Sequence, residues 1–261
     1  MSRKAKVTLN GEPDLIYHYT TVSGLKGIIE NKKIWATNIN YLNDWKEFRE
    51  FVDPFLSRFK GSGIEKHIGE IFDKHSRTIY VCSFSSKADD LSQWRGYSPS
   101  ASGFSIGFSY SKLKRMLPPG ELFSLYQCKY DAKDKKDEIN NVVKRNVKSD
   151  RPDIHDLTKI ITELTARAPC YKNEKFKAED EWRLVNFVKD EPIKFREGKT
   201  ILIPYIEIDL TKEGCDFPIE SICIGPTPYI TQSALSIKML LEYNGLSNVK
   251  IIKSNVPYRT L

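Results

Sequence analysis

Two short segments, far apart in the chain, place ionisable side chains inside patterns that otherwise predict buried strands. The first covers residues 15–20, with the sequence LIYHYT, and contains His18. The second covers residues 179–185, with the sequence EDEWRLV, and contains Glu179 and Glu181. An ionisable group in an apolar strand needs a hydrogen-bonding partner, water or a ligand, because burial without one is costly. These positions are therefore the candidates for an active site.

Further polar side chains that could serve such a site fall in the middle of the chain. Ser83 and Ser85 lie two apart in a strand-like segment at 78–85, so they would share one face and support a pocket wall. The following connection, DDLSQWRGY at 89–97, predicts a short helical turn. Its Arg95 is the first choice for a phosphate contact, because a guanidinium can donate two parallel hydrogen bonds to phosphate oxygens.

Composition indicates the class of protein to which these candidate residues belong. The chain has 261 residues, of which 40% are hydrophobic, and this is enough for one folded globular domain. It contains no apolar run of membrane-spanning length and no secretory leader pattern, so we expect a cytoplasmic protein with no membrane partner. The five cysteines lack zinc-ligand spacing and indicate reduced thiols. A net charge of +7 favours a polyanionic partner such as nucleic acid.

The order of periodic segments predicts an α+β fold. Alternating or apolar runs indicate strands at 15–19, 34–37, 78–85, 103–109, 182–188, 200–205, 206–210, 219–224 and 249–253. Helical spacing and capping signals indicate helices after Thr21, after Asn43 and Asp44, at 64–74 and at 231–243. Between about 131 and 168 the composition becomes charged and helical, which predicts a helical hairpin inserted in a sheet that is otherwise mostly antiparallel.

Five blocks together resemble a bacterial family known only as a domain of unknown function. They are HYT at 18–20, GLKGIIENKKIWA at 24–36, LSQWRGY at 91–97, EDEWRL at 179–184 and IGPT at 224–227. The first and fourth blocks also resemble the outline of ADP-ribosyltransferases, in which a histidine on the first strand is followed by an aromatic residue and a threonine, and a glutamate begins a late strand. This second resemblance implies a split, mixed and mostly antiparallel sheet with peripheral helices.

The resemblance to ADP-ribosyltransferases also implies roles for individual residues. Glu181 would stabilise the positive charge that develops when the bond between nicotinamide and ribose in NAD breaks. His18 would bind the adenine-side ribose, and Tyr19 and Thr20 would help to hold the cofactor, with Thr20 at the nicotinamide end. Tyr80 or another aromatic residue would stack on the nicotinamide ring.

The spacing of the two glutamates adds an expectation of its own. In an extended segment Glu179 and Glu181 would share a face, so that one could bind the ribose and the other could activate the acceptor. Their mutual repulsion would raise the pKa of one of them. Which of the two is catalytic stays open.

The implied function is an NAD-dependent ADP-ribosyltransferase that modifies RNA or DNA as a toxin or anti-phage effector, with an antitoxin protein as a candidate partner. Two alternatives stay open. The chain could be a non-enzymatic module that binds nucleic acid or a protein partner through Trp, Tyr, Lys and Arg side chains, with Glu181 merely paired to an arginine across the sheet. A nuclease ranks lower, because the only clustered acids are Asp89 with Asp90 and Glu179 with Glu181, and no metal is expected.

Overall fold

A computed structural model describes residues 12–42, 46–97, 103–117, 123–147, 153–188 and 192–257. Its strands are β1 Leu15–Thr20, β2 Lys33–Asn38, β3 Ile79–Ser85, β4 Phe104–Ser109, β5 Phe123–Gln127, β6 Glu181–Phe187, β7 Lys194–Glu197, β8 Leu202–Asp209, β9 Ile219–Ile224 and β10 Lys250–Lys253. Its α-helices are α1 Val22–Asn31, α2 Glu47–Leu56, α3 Glu65–Ser76, α4 Leu91–Tyr97, α5 Tyr110–Met116, α6 Ala132–Asn146, α7 Ile154–Arg167 and α8 Ile230–Tyr243.

The strands form one open sheet in which most neighbours are antiparallel. The order along its main path is β10-β9-β4-β1-β3-β2-β8-β7, while β6 also pairs with β3 and β5 pairs with β6. Among these described strands, β9 and β10 are the parallel pair. The predicted α+β class with a mostly antiparallel sheet is therefore confirmed. No helix within the described residues combines the length and apolar character needed to cross a membrane.

The sheet divides along β3. One edge of β3 pairs with β6 from Ile79 to Ser85. The other edge is shared between two strands, since Tyr80 and Val81 face β2 whereas Ser85 faces Tyr17 of β1. Within the described residues no strand pairs with that edge between these points, and β1 and β2 therefore diverge on either side of Cys82 to Phe84.

Two hydrophobic clusters cover the two faces of the central strands. Successive side chains of a strand point to opposite faces, and accordingly Leu184 of β6 belongs to the first cluster and Val185 to the second. The first cluster includes buried residues of α1, α5 and α8, and the second those of α2, α3, α6 and α7. Burial on both sides explains why β3 is a nearly continuous apolar run rather than an alternating one. Strand β6 is buried from Glu181 to Asn186 as well, although its sequence EWRLVNF includes three polar side chains.

Helix α1 shows how local sequence signals position the strand that carries His18. The side chain of Thr21 accepts a hydrogen bond from the Gly24 N–H and caps the helix. Leu25, Ile28 and Ile29 then form its buried face, as the spacing predicts. Lys32 ends the helix in a left-handed conformation, and β2 begins at the next residue.

The structure corrects several boundaries. Residues 200–205 and 206–210 do not form two strands, because β8 runs without a turn from Leu202 to Asp209. Helix α5 and strands β5 and β7 were not predicted, since they have only seven, five and four residues, too few for a sustained periodic pattern. Helix α2 begins at Glu47, and the proposed cap at Asn43 and Asp44 lies outside the described residues. The predicted helical hairpin is present as α6 and α7, which connect the paired strands β5 and β6.

Candidate active site

A cleft opens where β1 and β2 diverge along β3. Its first lobe, of about 480 Å³, is lined by residues that include His18, Ser83, Glu179 and Glu181. A second lobe, of about 510 Å³, is lined by Thr20 and the first turn of α1. The two lobes share the side chains of His18, Trp35, Thr37, Tyr97 and Arg196. The two residues on which the sequence interpretation depends, His18 and Glu181, therefore line the same cleft.

His18 is held at the point of divergence by the backbone of β3. Its Nδ1 lies 2.9 Å from the carbonyl oxygen of Ser83. Burial lowers the pKa of His18, although this hydrogen bond opposes the shift. Since a carbonyl only accepts, the neutral ring must carry its hydrogen on Nδ1, and Nε2 is then left as a hydrogen-bond acceptor. The Nε2 atom of His18 can therefore accept a hydrogen bond from a ligand hydroxyl.

Glu181 is buried, with 3% of its surface exposed, and two cations hold it. Arg183 Nε donates to Glu181 Oε1 at 2.8 Å, and Lys172 Nζ donates to Glu181 Oε2 at 2.7 Å. Burial by itself would raise the pKa of Glu181, but Arg183 and Lys172 outweigh it and lower the pKa to about 2. The carboxylate is consequently ionised and fixed in one orientation at neutral pH.

Glu179 and Glu181 lie close together, but not because they share one face of an extended segment, as the sequence predicted. Glu179 ends a 3-10 helix and Asp180 has a φ of 46°, so the segment is not extended and simple alternation does not apply. Instead, Lys172 Nζ lies 2.6 Å from Glu179 Oε2 and bridges it to Glu181. The predicted rise in pKa from mutual repulsion is wrong for Glu181, because the cations lie between and beside the carboxylates.

A third carboxylate completes the buried charge cluster. Glu47 of α2 accepts a hydrogen bond from Arg183 Nη2 at 2.5 Å, and its other oxygen, Oε1, lies 3.6 Å from Lys172 Nζ. That Oε1 atom has no hydrogen-bond partner among the described residues. Burial raises the pKa of Glu47 despite the opposing effect of Arg183 and Lys172.

We call Glu47, Glu179, Glu181, Lys172 and Arg183 the charge cluster; it has one more carboxylate than cations. The excess makes this end of the cleft electronegative whenever all five groups are ionised. A developing positive charge on a ligand would be stabilised there.

Three of the predicted cofactor residues line the cleft, and Tyr19 does so only in part. His18, Thr20 and Ser83 are lining residues. The hydroxyl of Tyr19 donates to the Lys87 carbonyl at 2.8 Å and accepts from the Asp90 N–H at 3.1 Å. Tyr19 therefore uses its polar atom to fix the segment before α4, although its side chain also borders the cleft.

The remaining predicted cofactor residues, Tyr80, Ser85 and Arg95, do not line either lobe of the cleft. Tyr80 is 1% exposed and belongs to the first hydrophobic cluster, because its place in β3 directs it away from the face that carries Val81 and Ser83. Ser85 is buried and donates to the carbonyl of Glu179 at 2.7 Å, so it supports the site from behind. Arg95 is exposed on α4 and is not a lining residue of either lobe.

Several lining residues were missed by the sequence interpretation. Lys172 and Glu47 come from separate elements, and their convergence on Glu181 depends on tertiary packing that local patterns do not reveal. Arg196 lies on the unpredicted strand β7. Trp35 gave one signal, since an aromatic side chain can supply a stacking surface for a planar base. Its exposed fraction is 47%.

Comparison with known protein families finds a similarity over part of the chain. A family model described as "Protein of unknown function (DUF2971)" matches residues 93–184. This range runs from α4 to β6 and includes Lys172, Glu179, Glu181 and Arg183, whereas the blocks at 18–36 and 224–227 lie outside it. The expected resemblance to a family of unknown function is confirmed over this part of the chain. No match was found among curated proteins or among solved structures.

Proposed function

We propose that this chain is an NAD-dependent ADP-ribosyltransferase that modifies a macromolecule, with nucleic acid as the acceptor, and acts in the bacterial cytoplasm as a toxin or anti-phage effector. The observation that carries the proposal is the shared cleft, which is lined by both Glu181 and His18. Nε2 of the neutral histidine could accept a hydrogen bond from a ligand hydroxyl there, and the ionised glutamate could stabilise a positive charge. Each lobe falls within the range of about 300–1,000 Å³ that is usual for small-molecule sites.

The charge cluster suits the chemistry of NAD cleavage. When the bond between the ribose C1′ and the nicotinamide nitrogen breaks, nicotinamide leaves with the bonding electrons and C1′ acquires oxocarbenium character. Glu181 would stabilise that charge and bind a ribose hydroxyl, and Arg183 and Lys172 keep it ionised and in place. An acceptor oxygen or nitrogen then forms the new bond to C1′ and loses its proton.

Glu179 is the better placed of the two glutamates to take that proton. Its side chain is 19% exposed, against 4% for Glu181, and it lines the same lobe. The acceptor would approach from the open side of the cleft and meet Glu179 first. The net charge of +7 would favour nucleic acid as the acceptor through attraction to the protein as a whole, not through the charge cluster, which is locally negative.

The test measures nicotinamide release and label transfer from NAD carrying a radioactive adenylate phosphate to RNA, DNA and protein extracts. Glu181→Gln should abolish both signals. Because this change also leaves two buried cations with one carboxylate fewer, Glu181→Asp is the second variant: it keeps the charge but retracts the carboxylate by about 1.5 Å, the length of one C–C bond. It should retain the fold and still lose at least about 100-fold in rate.

A matched control is available on another strand. Glu220 lies in β9 and pairs with Lys112 Nζ at 2.8 Å, and it lines neither lobe of the cleft. Glu220→Gln should leave the rate unchanged. Absence of nicotinamide release by the folded wild-type protein with every acceptor, or full activity of Glu181→Asp, would overturn the proposal.

A non-enzymatic binding module is the second candidate. It is favoured by the fact that both carboxylate oxygens of Glu181 already have partners, as a purely structural ion pair would. In that case the same labelled experiment gives no transfer and no nicotinamide, while the protein still retains RNA or DNA in a filter-binding assay.

A further inference from the structure

Arg196 is a partly buried cation without an acidic partner in the described part of the chain. Its Nη2 donates to Thr37 Oγ1 at 3.3 Å, which is a neutral acceptor. No carboxylate within the described ranges lies in ion-pair distance of it. The nearby lysines differ, since Lys33 and Lys194 both pair with Glu207, at 3.0 and 2.9 Å. Burial lowers the pKa of Arg196, and an anion in contact with the guanidinium would offset that cost.

The position of Arg196 along the cleft is central. It lines both lobes, together with His18, Thr37 and Tyr97. One lobe ends at the charge cluster and the other at the first turn of α1. A ligand that occupied both lobes would therefore pass Arg196 at its middle, and in a dinucleotide the middle is the diphosphate.

Trp35 provides an aromatic surface beside this cation. Its ring packs against that of Tyr205, with centroids 4.4 Å apart and an interplanar angle of 33°. Tyr205 is buried, whereas 47% of Trp35 is exposed, so Trp35 is supported from the protein side and open on the other. A supported indole facing a cleft can stack on a planar base.

We propose that Arg196 and Trp35 form the subsite that binds the diphosphate and an adjoining planar base of the dinucleotide. This inference rests on the proposed function and adds to it a specific ligand position. Arg196, rather than the exposed Arg95, makes the phosphate contact. Trp35, rather than the buried Tyr80, makes the ring contact.

The test compares the binding of three probes by calorimetry: ADP-ribose, adenosine and a short single-stranded RNA. Arg196→Gln should weaken ADP-ribose binding by at least about tenfold, because charge-assisted hydrogen bonds to the diphosphate are lost, while adenosine binding changes by less than about twofold. Arg196→Lys should give an intermediate loss, since it keeps the charge but not the fork of donors. Trp35→Leu should weaken both small probes.

Arg58→Gln is the matched control, because Arg58 also bonds a neutral side chain, Asn140 Oδ1 at 2.7 Å, and lines neither lobe. It should leave ADP-ribose binding unchanged. The subsite is refuted by unchanged ADP-ribose affinity in Arg196→Gln, by a wild-type protein that does not bind ADP-ribose, or by an effect confined to RNA.

The outcomes also separate the subsite from the transferase proposal. Loss of ADP-ribose binding in Arg196→Gln, in a protein that never cleaves NAD, keeps the subsite and removes the transferase. If instead both the wild type and Arg196→Gln cleave NAD with the same KM, the transferase proposal is kept and the subsite is removed.

Discussion

Replacement of Arg183 by methionine should destabilise the protein more than any surface ion-pair variant. The side chain is 2% exposed and fully buried in the charge cluster. It donates to both oxygens of Glu181, at 2.8 and 3.2 Å, to Glu47 at 2.5 Å and to the carbonyl of Pro169 at 3.2 Å. Methionine keeps much of the volume but leaves three carboxylates around Lys172 alone.

The expected magnitude follows from that uncompensated charge. Removal of one partner of a buried ion pair costs about 3–5 kcal/mol, because the remaining charge stays desolvated. This is a large share of the roughly 5–15 kcal/mol that stabilises a typical domain. Arg145→Met is the control, since Arg145 bonds Glu163 at the surface with 43% of its side chain exposed, and such pairs contribute about 0–1 kcal/mol.

The assay is urea denaturation of Arg183→Met, Glu181→Gln, the double variant and Arg145→Met. The double variant should be less destabilised than the sum of its parts, because the two charges that compensate each other are removed together. A loss below about 1 kcal/mol for Arg183→Met, or strict additivity in the double variant, would show that the cluster does not behave as a desolvated ion-pair network.

The remaining predictions concern the cleft wall, pH and the sheet interior. At Gly24 an added Cβ would lie 2.0 Å from Thr20 Oγ1, so Gly24→Ala should destabilise the wild type but stabilise Thr20→Ala by up to about 1 kcal/mol, as thermal unfolding would show. Because the folded pKa of Glu47 is raised above 4.5, stability should rise as pH falls from neutral towards 4.5, and Glu47→Gln should remove that rise. The folded pKa of Glu181 is lowered from 4.5 to about 2, so its contribution of about 3 kcal/mol should be present above pH 4.5 and lost as pH falls to about 2, except in Glu181→Gln. Asn186 has both amide atoms buried without hydrogen bonds within the described residues, so Asn186→Leu should leave the melting temperature unchanged or raise it.

Elements with a strong local signal could be predicted from the sequence. Helix α1 has a threonine cap and three apolar residues at helical spacing, and β3 is a run of β-branched and aromatic residues. Strand β7 has neither signal, since its four residues are KFRE and its pairing with β8 decides its conformation. Tertiary pairing, rather than propensity, is what local patterns leave out.

The candidate site likewise contains residues that the sequence could identify and residues that it could not. His18 and Glu181 were identifiable because charged residues in apolar strands are conspicuous. Tyr80 was assigned to the cleft by analogy, although alternation along β3 places it with Cys82 in the core. Lys172 could not be assigned, because nothing in its sequence neighbourhood indicates that its ammonium group lies between two glutamates.

The inserted helices link the fold to the candidate chemistry. The chain leaves the sheet at β5, forms α6 and α7, and returns through the segment that carries Pro169 and Lys172 before β6 begins. Lys172 N–H donates to the Lys129 carbonyl at 2.9 Å, and Lys129 N–H donates to the Cys170 carbonyl at 2.8 Å. These bonds fasten the return segment beside the start of the insertion and hold the Lys172 ammonium group against Glu181. The insertion is therefore a structural part of the active-site candidate, since the return segment that follows it supplies Lys172, one of the two cations that keep Glu181 ionised.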